Sequence, residues 1–325
     1  MNTPSQHYIG VDLGGTNLRC AVVDAERNIL SRVEHPTEAH EGSNAVSNRI
    51  VDGIRAAMDE AGAAQADIRA LGIGVPGPIN QRTGVVHSAP NMPGWDNVPL
   101  ADIVADRLGV ATFVENDANC AGWGEFVAGA GRGCRHMMMV TLGTGIGGAI
   151  IIDGKLHLGR DGAAGELGHV CIVDGGRPCG CGARGCVEAY ASATAVVRRF
   201  IELLDEGWHS PLAEKRDYLA SHDIYAAAEA KDPVAMRIVE ETGHYLGVMA
   251  SAVAELLNPE RCVVSGGMIQ AGAQLFGAMR DTCLNRNNHP GRTMEILPAQ
   301  LGPNAGLTGA ADYARVRSEN TDGEV

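Results

Sequence analysis

One local pattern occurs twice in the chain: an apolar strand, a glycine-rich turn and a second apolar strand that returns beside the first. The first copy spans residues 8–23 and contains Asp12-Leu13-Gly14-Gly15-Thr16, and the second spans residues 137–152 and contains Gly143-Thr144-Gly145-Ile146-Gly147. Glycine permits tight turns and lets a ligand approach the backbone. We therefore predict two related α/β lobes rather than an array of repeats.

Each turn has two interpretations. A strand that ends in a carboxylate and glycines can present N–H groups to a phosphate, and the Asp12 carboxylate can hold a hydrated Mg²⁺ nearby. A plain hairpin uses the same residue types. The second turn superficially resembles the dinucleotide glycine fingerprint, but an apolar β-type stretch follows it instead of a helix. This excludes a Rossmann assignment.

Apolar periodicity predicts most of the remaining elements. Strands are predicted near residues 29–33, 70–75, 111–114, 155–158, 261–265 and 294–297, and helices near residues 46–58, 101–108, 187–203, 233–257 and 307–315. The polar stretch at residues 205–222 is predicted to be an irregular surface excursion.

Charge and hydropathy exclude some classes of function. The 325 residues carry a net charge of −13 and no basic run, which argues against a nucleic-acid partner. The sequence contains no run of about 18 apolar residues, so we expect no membrane span. The polar stretch Met1 to His7 lacks the apolar core of a signal peptide, so we expect a cytoplasmic protein.

A cluster of metal-ligand residues is the most specific signal. One imidazole and three thiols occur close together, at His169, Cys179, Cys181 and Cys186. They form a Cys₃His set suited to tetrahedral Zn²⁺, and the filled set indicates a structural ion. Unligated buried thiols are the alternative, and the crowding of three cysteines beside glycines favours the metal. The other cysteines lie in apolar surroundings typical of a core.

Carboxylates stand at two further places. Glu115-Asn116-Asp117 follows a predicted strand, where ligands bind in α/β sheets and where a carboxylate can accept a proton from a hydroxyl nucleophile. The same residues suit the N-cap of the helix that begins near Ala118. Glu166 and Glu188 flank the His-Cys segment and are candidates for binding sugar hydroxyls, although an isolated Glu is more often a surface charge.

Taken together, these motifs resemble those of the ROK family of bacterial-type sugar kinases and repressors. The resemblance extends from residue 8 to near the C-terminus. The matching pieces are Asp12 to Thr16, Gly74-Val75-Pro76-Gly77-Pro78, Glu115-Asn116-Asp117, Leu142 to Gly148, Glu166-Leu167-Gly168-His169, Cys179 to Glu188 and Gly266-Gly267.

The resemblance implies a two-lobed actin-like (RNase H-like) α/β fold with an ATP cleft between the lobes. It places a small lobe at residues 1–117, a large lobe at 118–304 with a zinc knuckle at 169–186, and a C-terminal helix at about 305–325 that packs back on the small lobe. It also implies a homodimer or higher homo-oligomer.

The resemblance further implies a role for each matching residue. Asp117 is expected to accept the proton of the sugar 6-hydroxyl. The residues expected to bind sugar hydroxyls are Gly77, Asn116, Asp117, Glu166, His169 and Glu188. The residues expected to bind ATP and Mg²⁺ are Asp12, Gly14, Gly15, Thr16, Gly143, Thr144, Gly145, Gly266 and Gly267. One His169 nitrogen is expected to bind zinc and the other the sugar.

The predicted activity is ATP-dependent phosphorylation of a hexose, with glucose as the first choice because residues 77–80 and Ala89 to Trp95 look like the glucokinase members. N-acetylglucosamine, N-acetylmannosamine and fructose are alternatives, since one methyl or hydroxyl group can redirect specificity. Polyphosphate-using relatives tend to lack the full His-Cys set. A sugar-responsive repressor would carry a helix-turn-helix domain ahead of residue 12, and we expect none.

Overall fold

The structure, a computed structural model, describes residues 6–89, 92–289 and 293–320. It contains two compact units: Met1–Arg135, Ala149–Gly165 and Gln300–Val325 form the first, and His136–Gly148 with Glu166–Ala299 form the second. Pro90 and Asn91 of the glucokinase-like stretch, and residues 321–325, lie outside the described residues. Within the described ranges, no helix combines the length and apolar character that a bilayer crossing needs.

Strands and helices follow one another along the chain in a mixed α/β order. The strands are β1 (His7–Leu13), β2 (Asn17–Asp24), β3 (Ile29–Pro36), β4 (Ile68–Val75), β5 (Ile79–Asn80), β6 (Val85–Ser88), β7 (Asp96–Pro99), β8 (Thr112–Asn116), β9 (Met137–Leu142), β10 (Ile146–Ile152), β11 (Lys155–Leu156), β12 (Arg261–Ser265) and β13 (Glu295–Pro298). The α-helices are α1 (Ser43–Ala61), α2 (Leu100–Leu108), α3 (Asp117–Ala128), α4 (Glu188–Ala191), α5 (Ala193–Asp205), α6 (Ser221–Glu229), α7 (Pro233–Leu257), α8 (Gly272–Asn285) and α9 (Ala305–Glu319).

The first unit is built on a five-stranded sheet with the order β3-β2-β1-β4-β8. β1, β2 and β3 form the predicted antiparallel meander, whereas β4 and β8 run parallel to β1. Side chains alternate across the sheet. Ile9 and Ile73 are buried in a core with α1 and α2, and Tyr8 and Ala70 are buried in a second cluster with α9.

The backbone of α9 lies directly on this sheet. A Cβ on Gly10 would lie 2.0 Å from the Leu307 carbonyl oxygen, and one on Gly72 would lie 1.9 Å from that of Ala310. α3 packs closely on α9 as well, because a Cβ on Gly309 would lie 1.7 Å from the Cys120 carbonyl oxygen. α3 therefore belongs to the first unit, which extends beyond the boundary predicted after residue 117.

The second unit contains the parallel strands β9, β12 and β13, which belong to a sheet with the order β11-β10-β9-β12-β13. Its helices α7 and α8 approach closely at glycines. A Cβ on Gly243 would lie 2.5 Å from the Leu275 carbonyl oxygen, and one on Gly247 would lie 2.6 Å from the Thr282 Cβ. The core of this unit thus depends on small residues where two helices cross.

Some predicted elements differ from the structure. The helix predicted at 187–203 is interrupted at Ser192, which has extended backbone angles and caps α5 by accepting a hydrogen bond from the Ala195 N–H. The excursion at 205–222 contains a 3₁₀ helix at Pro211–Tyr218. α8 and the three-stranded sheet β5-β6-β7 are not predicted from the sequence pattern.

Candidate active site

The parallel strands β1, β4 and β8 end at the same edge of the first sheet, and two predicted site residues lie there. Asp12 pairs with Gly74 of β4, and Gly74 pairs with Glu115 of β8. A Cβ on Gly74 would lie 3.5 Å from the Asp117 Cα. Strands are spaced about 4.8 Å apart, so the backbones of Asp12 and Glu115, two strands apart, are roughly 10 Å from each other. Ligands bind at such carboxyl ends.

Asn116 shapes the corner between β8 and α3. Its Oδ1 accepts hydrogen bonds from the N–H groups of Ala118 and Asn119, at 2.9 and 3.2 Å, and makes Asn116 the N-cap. Its Nδ2 donates to the Gly77 carbonyl oxygen at 3.4 Å. Asp117 is the half-buried first residue of α3, so three predicted sugar-binding residues (Gly77, Asn116 and Asp117) lie together.

Glu115 is a buried carboxylate beneath this corner, and sequence reasoning placed it in the candidate segment without a separate role. Its Oε1 accepts hydrogen bonds from the Asn116 N–H at 2.8 Å, the Asn119 side chain at 3.0 Å and the Gln81 side chain at 3.3 Å. Burial raises the pKa of Glu115, and these donors lower it in part. A Glu within an otherwise apolar strand is the sequence signal for such a residue.

Asp12 is the predicted Mg²⁺-positioning residue. Its Oδ2 accepts a hydrogen bond from Arg19 Nη1 at 3.1 Å. Burial raises the pKa of Asp12, and the Arg19 guanidinium opposes that rise. Gly306, near the start of α9, lets the helix approach the carboxylate, since a Cβ there would lie 3.1 Å from the Asp12 side chain.

The first glycine turn is held from below by Thr37, which is buried. The Thr37 hydroxyl donates to the Gly14 carbonyl oxygen at 2.7 Å, and its N–H donates to the Thr16 carbonyl oxygen at 2.8 Å. Among the described residues, no heavy atom lies within 4 Å of where a Cβ on Gly15 would be, apart from its chain neighbours. The backbone at Gly15 is therefore open to a ligand.

The second glycine turn joins β9 to β10 and is held mainly by α4 and α5. The Ala193 N–H donates to the Gly143 carbonyl oxygen at 2.9 Å, and the Thr194 hydroxyl donates to the Thr144 carbonyl oxygen at 3.0 Å. The Ile146 N–H donates to Glu188 Oε2 at 2.8 Å. Two carbonyls and one N–H of the turn are thereby fixed.

Gly266 and Gly267 lie next to this turn. Gly266 has a φ of 96°, and a Cβ on it would lie 2.1 Å from the carbonyl oxygen of Leu142, the residue before Gly143. The chain after Gly266 begins as a 3₁₀ helix, Gly267–Ala271, and α8 follows it. Two predicted nucleotide-binding segments are thus adjacent within the second unit.

The predicted zinc ligands come together. The ligand atoms of His169, Cys179, Cys181 and Cys186 all lie within 4.8 Å of one another. The Cys181 and Cys186 Sγ atoms are 3.8 Å apart, and Cys179 Sγ is 3.7 Å from His169 Nδ1. Tetrahedral zinc, with Zn–S of about 2.3 Å and Zn–N of about 2.0 Å, separates its ligand atoms by roughly 3.5 to 3.8 Å. The residues therefore fit zinc.

The thiols of the cluster differ in their readiness to lose a proton. Burial raises the pKa of Cys186 to about 12. A hydrogen bond from the Ala183 backbone lowers the pKa of the exposed Cys181. Coordinated thiols are deprotonated, so metal binding here would release protons.

Glu166 and His169 lie at the two ends of a short 3₁₀ turn, Leu167–His169, with Glu166 as its N-cap position. Because His169 Nδ1 faces Cys179, the other ring nitrogen is directed elsewhere, and Nε2 lies 3.9 Å from Glu166 Oε2. The Glu166 side chain is 64 % exposed. An imidazole with one nitrogen on the metal side and the other beside an exposed carboxylate suits recognition of a hydroxyl group.

Comparison with known proteins finds sugar kinases that are similar to this chain over most of its length. A glucokinase of Thermotoga maritima is 39 % identical over 97 % of this chain and 99 % of that protein. The crystal structure of a ROK hexokinase from Thermus thermophilus has a TM-score of 0.85 and 31 % identity, covering 97 % of this chain and 99 % of that chain.

A ROK family glucokinase from Streptomyces griseus, solved in complex with glucose and AMPPNP, has a TM-score of 0.79 and 37 % identity over 95 % of this chain and 99 % of that chain. These neighbours confirm the predicted two-lobed actin-like class of fold. The family model described as "ROK family" matches residues 8–317. The chain therefore belongs to the ROK family.

Proposed function

We propose that this protein is an ATP-dependent hexose kinase that phosphorylates glucose at its 6-hydroxyl. The observation that carries the proposal is the position of Asp117, the half-buried first residue of α3 at the strand edge that also holds Asp12. The Streptomyces griseus relative, bound to glucose and an ATP analogue, supports both substrates.

Asp117 acts as the general base. Its carboxylate accepts the proton of the sugar 6-hydroxyl, and the hydroxyl oxygen forms a bond to the γ-phosphorus while the bond from that phosphorus to the bridging oxygen of ADP breaks. A positioned base contributes about 10²- to 10⁴-fold to such a step. Most of the remaining acceleration comes from alignment and from donors around the developing charge.

The glycine turns bind the nucleotide. The backbone N–H groups of Gly15 and Thr16 and those of Thr144 and Gly145 interact with phosphate oxygens, whereas the N–H groups of Gly14 and Gly143 donate within their turns. Gly266 and Gly267 lie beside the second turn. Asp12 would hold Mg²⁺ through its water shell, and the ion when bound neutralises phosphate charge. The open backbone at Gly15 supports this assignment for the first turn.

The sugar is bound by side chains whose local geometry suits hydroxyl groups. Asn116 and the Gly77 backbone are joined by a hydrogen bond next to Asp117. Glu166 and Glu188 flank the knuckle along the chain, and His169 is one of its ligands. Zinc, held by His169, Cys179, Cys181 and Cys186, would be structural and would fix the His169 ring. We also propose a homodimer, which light scattering on the purified protein tests.

A coupled ADP-release assay over a hexose panel tests the function. We expect turnover with glucose to exceed that with fructose, N-acetylglucosamine and N-acetylmannosamine. Asp117→Asn should lower kcat by about 10³-fold with the fold retained, whereas Asp52→Asn, at an exposed position of α1, should leave kcat unchanged. Parental turnover by Asp117→Asn would disprove the base assignment, and no turnover with any hexose would disprove the activity.

A further inference from the structure

The Glu188 carboxylate lies between the knuckle and the second glycine turn. Its Oε2 accepts a hydrogen bond from the Ile146 N–H at 2.8 Å, and its Oε1 lies 3.6 Å from Cys179 Sγ. A Cβ on Gly145 would lie 2.6 Å from Oε2, so a side chain at that position would displace the carboxylate. The contact between Glu188 and the turn therefore requires a glycine at position 145.

Glu188 accepts a hydrogen bond from a backbone N–H of the turn, whereas the contacts from α5 are made to backbone carbonyls. Ala193 and Thr194 of α5 donate to carbonyl oxygens of the turn, at Gly143 and Thr144. Glu188 instead accepts from a backbone N–H, and charge-assisted hydrogen bonds of this kind are about twice as strong as neutral ones. The peptide that links Gly145 to Ile146 is thus held at both of its polar groups. Glu188 accepts from its N–H, and the Gly143 N–H donates to its carbonyl oxygen at 3.0 Å.

The knuckle in turn fixes Glu188. The ligand Cys186 lies two residues before Glu188, is buried, and is followed by Val187, whose N–H donates to the Val170 carbonyl oxygen at 3.0 Å. Glu188 is the first residue of α4. A cavity of about 110 Å³ separates turn and knuckle, and its lining includes Thr144, Cys179, Gly180 and Glu188.

We propose that Glu188 is a positioning residue through which metal in the knuckle strengthens nucleotide binding at the second glycine turn. The inference rests on the proposed function, because it takes the turn to bind phosphate. The Ile146 N–H engages Oε2, and Oε1 on the side of Cys179 is left for a sugar hydroxyl. By linkage, a bound nucleoside triphosphate would strengthen zinc binding by the same factor.

Calorimetric titration with Mg²⁺–AMPPNP, without sugar, tests the proposal in the zinc-loaded protein. Glu188→Ala removes the acceptor for the Ile146 N–H and should weaken AMPPNP binding about tenfold, or about 1.4 kcal/mol. Glu188→Gln keeps a carbonyl acceptor and should stay within about twofold of the parent. Glu166→Ala, which removes the carboxylate three residues before His169, should weaken glucose binding and leave AMPPNP affinity unchanged. Zinc content and thermal unfolding establish that each variant is folded.

A chelator arm tests the link to the metal. Removing zinc from the parent should weaken AMPPNP binding by a similar factor, and removing it from Glu188→Ala should add little, because both changes act through one contact. Unchanged AMPPNP affinity in Glu188→Ala or in the stripped parent overturns the proposal, as does an equal loss in Glu188→Gln. Absence of AMPPNP binding by the loaded parent overturns the kinase function itself.

Discussion

Asn116 caps the helix whose first residue is Asp117. Its Oδ1 accepts hydrogen bonds from the N–H groups of Ala118 at 2.9 Å and of Asn119 at 3.2 Å, so the cap and the proposed base share one corner of the chain. A single side chain thereby stabilises the start of α3 and lies beside the proposed sugar-binding position.

Replacing this cap should affect both stability and turnover. Asn116→Ala should lower the free energy of unfolding by about 1 kcal/mol, the usual cost of losing an N-cap, and should raise the KM for glucose. Asn116→Asp keeps a capping oxygen and should retain the stability. Urea unfolding and steady-state kinetics measure the two effects, and equal stability of Asn116→Ala and the parent would contradict the capping role.

The buried Glu115 should make stability depend on pH. Burial raises its pKa in the folded protein, so its stabilising contribution is fully present below the unfolded pKa of about 4.5 and is lost as the pH rises through the folded pKa. The free energy of unfolding of the parent should therefore fall relative to that of Glu115→Gln as the pH rises from about 4 to 8.

Urea unfolding at a series of pH values measures this difference for Glu115. Glu60→Gln, at an exposed position of α1, controls for the change in net charge. A constant difference between the parent and Glu115→Gln across the series would show that the Glu115 pKa is not raised in the folded protein.

The knuckle should require each of its four ligands. Cys181→Ser removes an exposed ligand with little change in packing, so purified protein should contain less than about half an equivalent of zinc and unfold at a lower temperature. Cys171→Ser is the matched control, since Cys171, contrary to the core position predicted from the sequence, is also exposed and lies outside the ligand set. Metal analysis and calorimetry check both variants. A full equivalent of zinc per chain in Cys181→Ser would show that these four residues are not the ligand set.

Close contact between α9 and the first sheet should make Gly72 intolerant of a side chain. Gly72→Ala places a Cβ 1.9 Å from the Ala310 carbonyl oxygen and should cost about 3 kcal/mol or more, because backbone must move. Gly277→Ala in α8, where a Cβ would meet no atom of the described residues within 4 Å beyond its chain neighbours and its own helix backbone, should stabilise the protein by about 0.5 to 1 kcal/mol. Denaturant unfolding gives the free energy of unfolding of both variants. Equal changes in the two variants would contradict the close contact between α9 and the first sheet.

Local patterns predicted a large part of the fold. The apolar periodicity of residues 233–257 gave the bounds of α7, and the strand–turn–strand repeat gave the hairpins β1–β2 and β9–β10, because both signals lie in residues a few positions apart. Local signals competed at Ser192, where a favourable N-cap interrupts the predicted helix.

Sequence alone determined which residues are proposed to carry chemistry, because the Cys₃His set, the Asn116-Asp117 corner and the glycine turns are recognisable from residue type and spacing. Only the tertiary structure decided what holds them. Thr37 beneath the first turn, the burial of Glu115, the place of α3 with α9, and the hydrogen bond between Glu188 and Ile146, 42 residues apart, all depend on packing between distant segments. The physical reason is that such contacts form only after long loops have closed, and no short-range pattern specifies which partners meet.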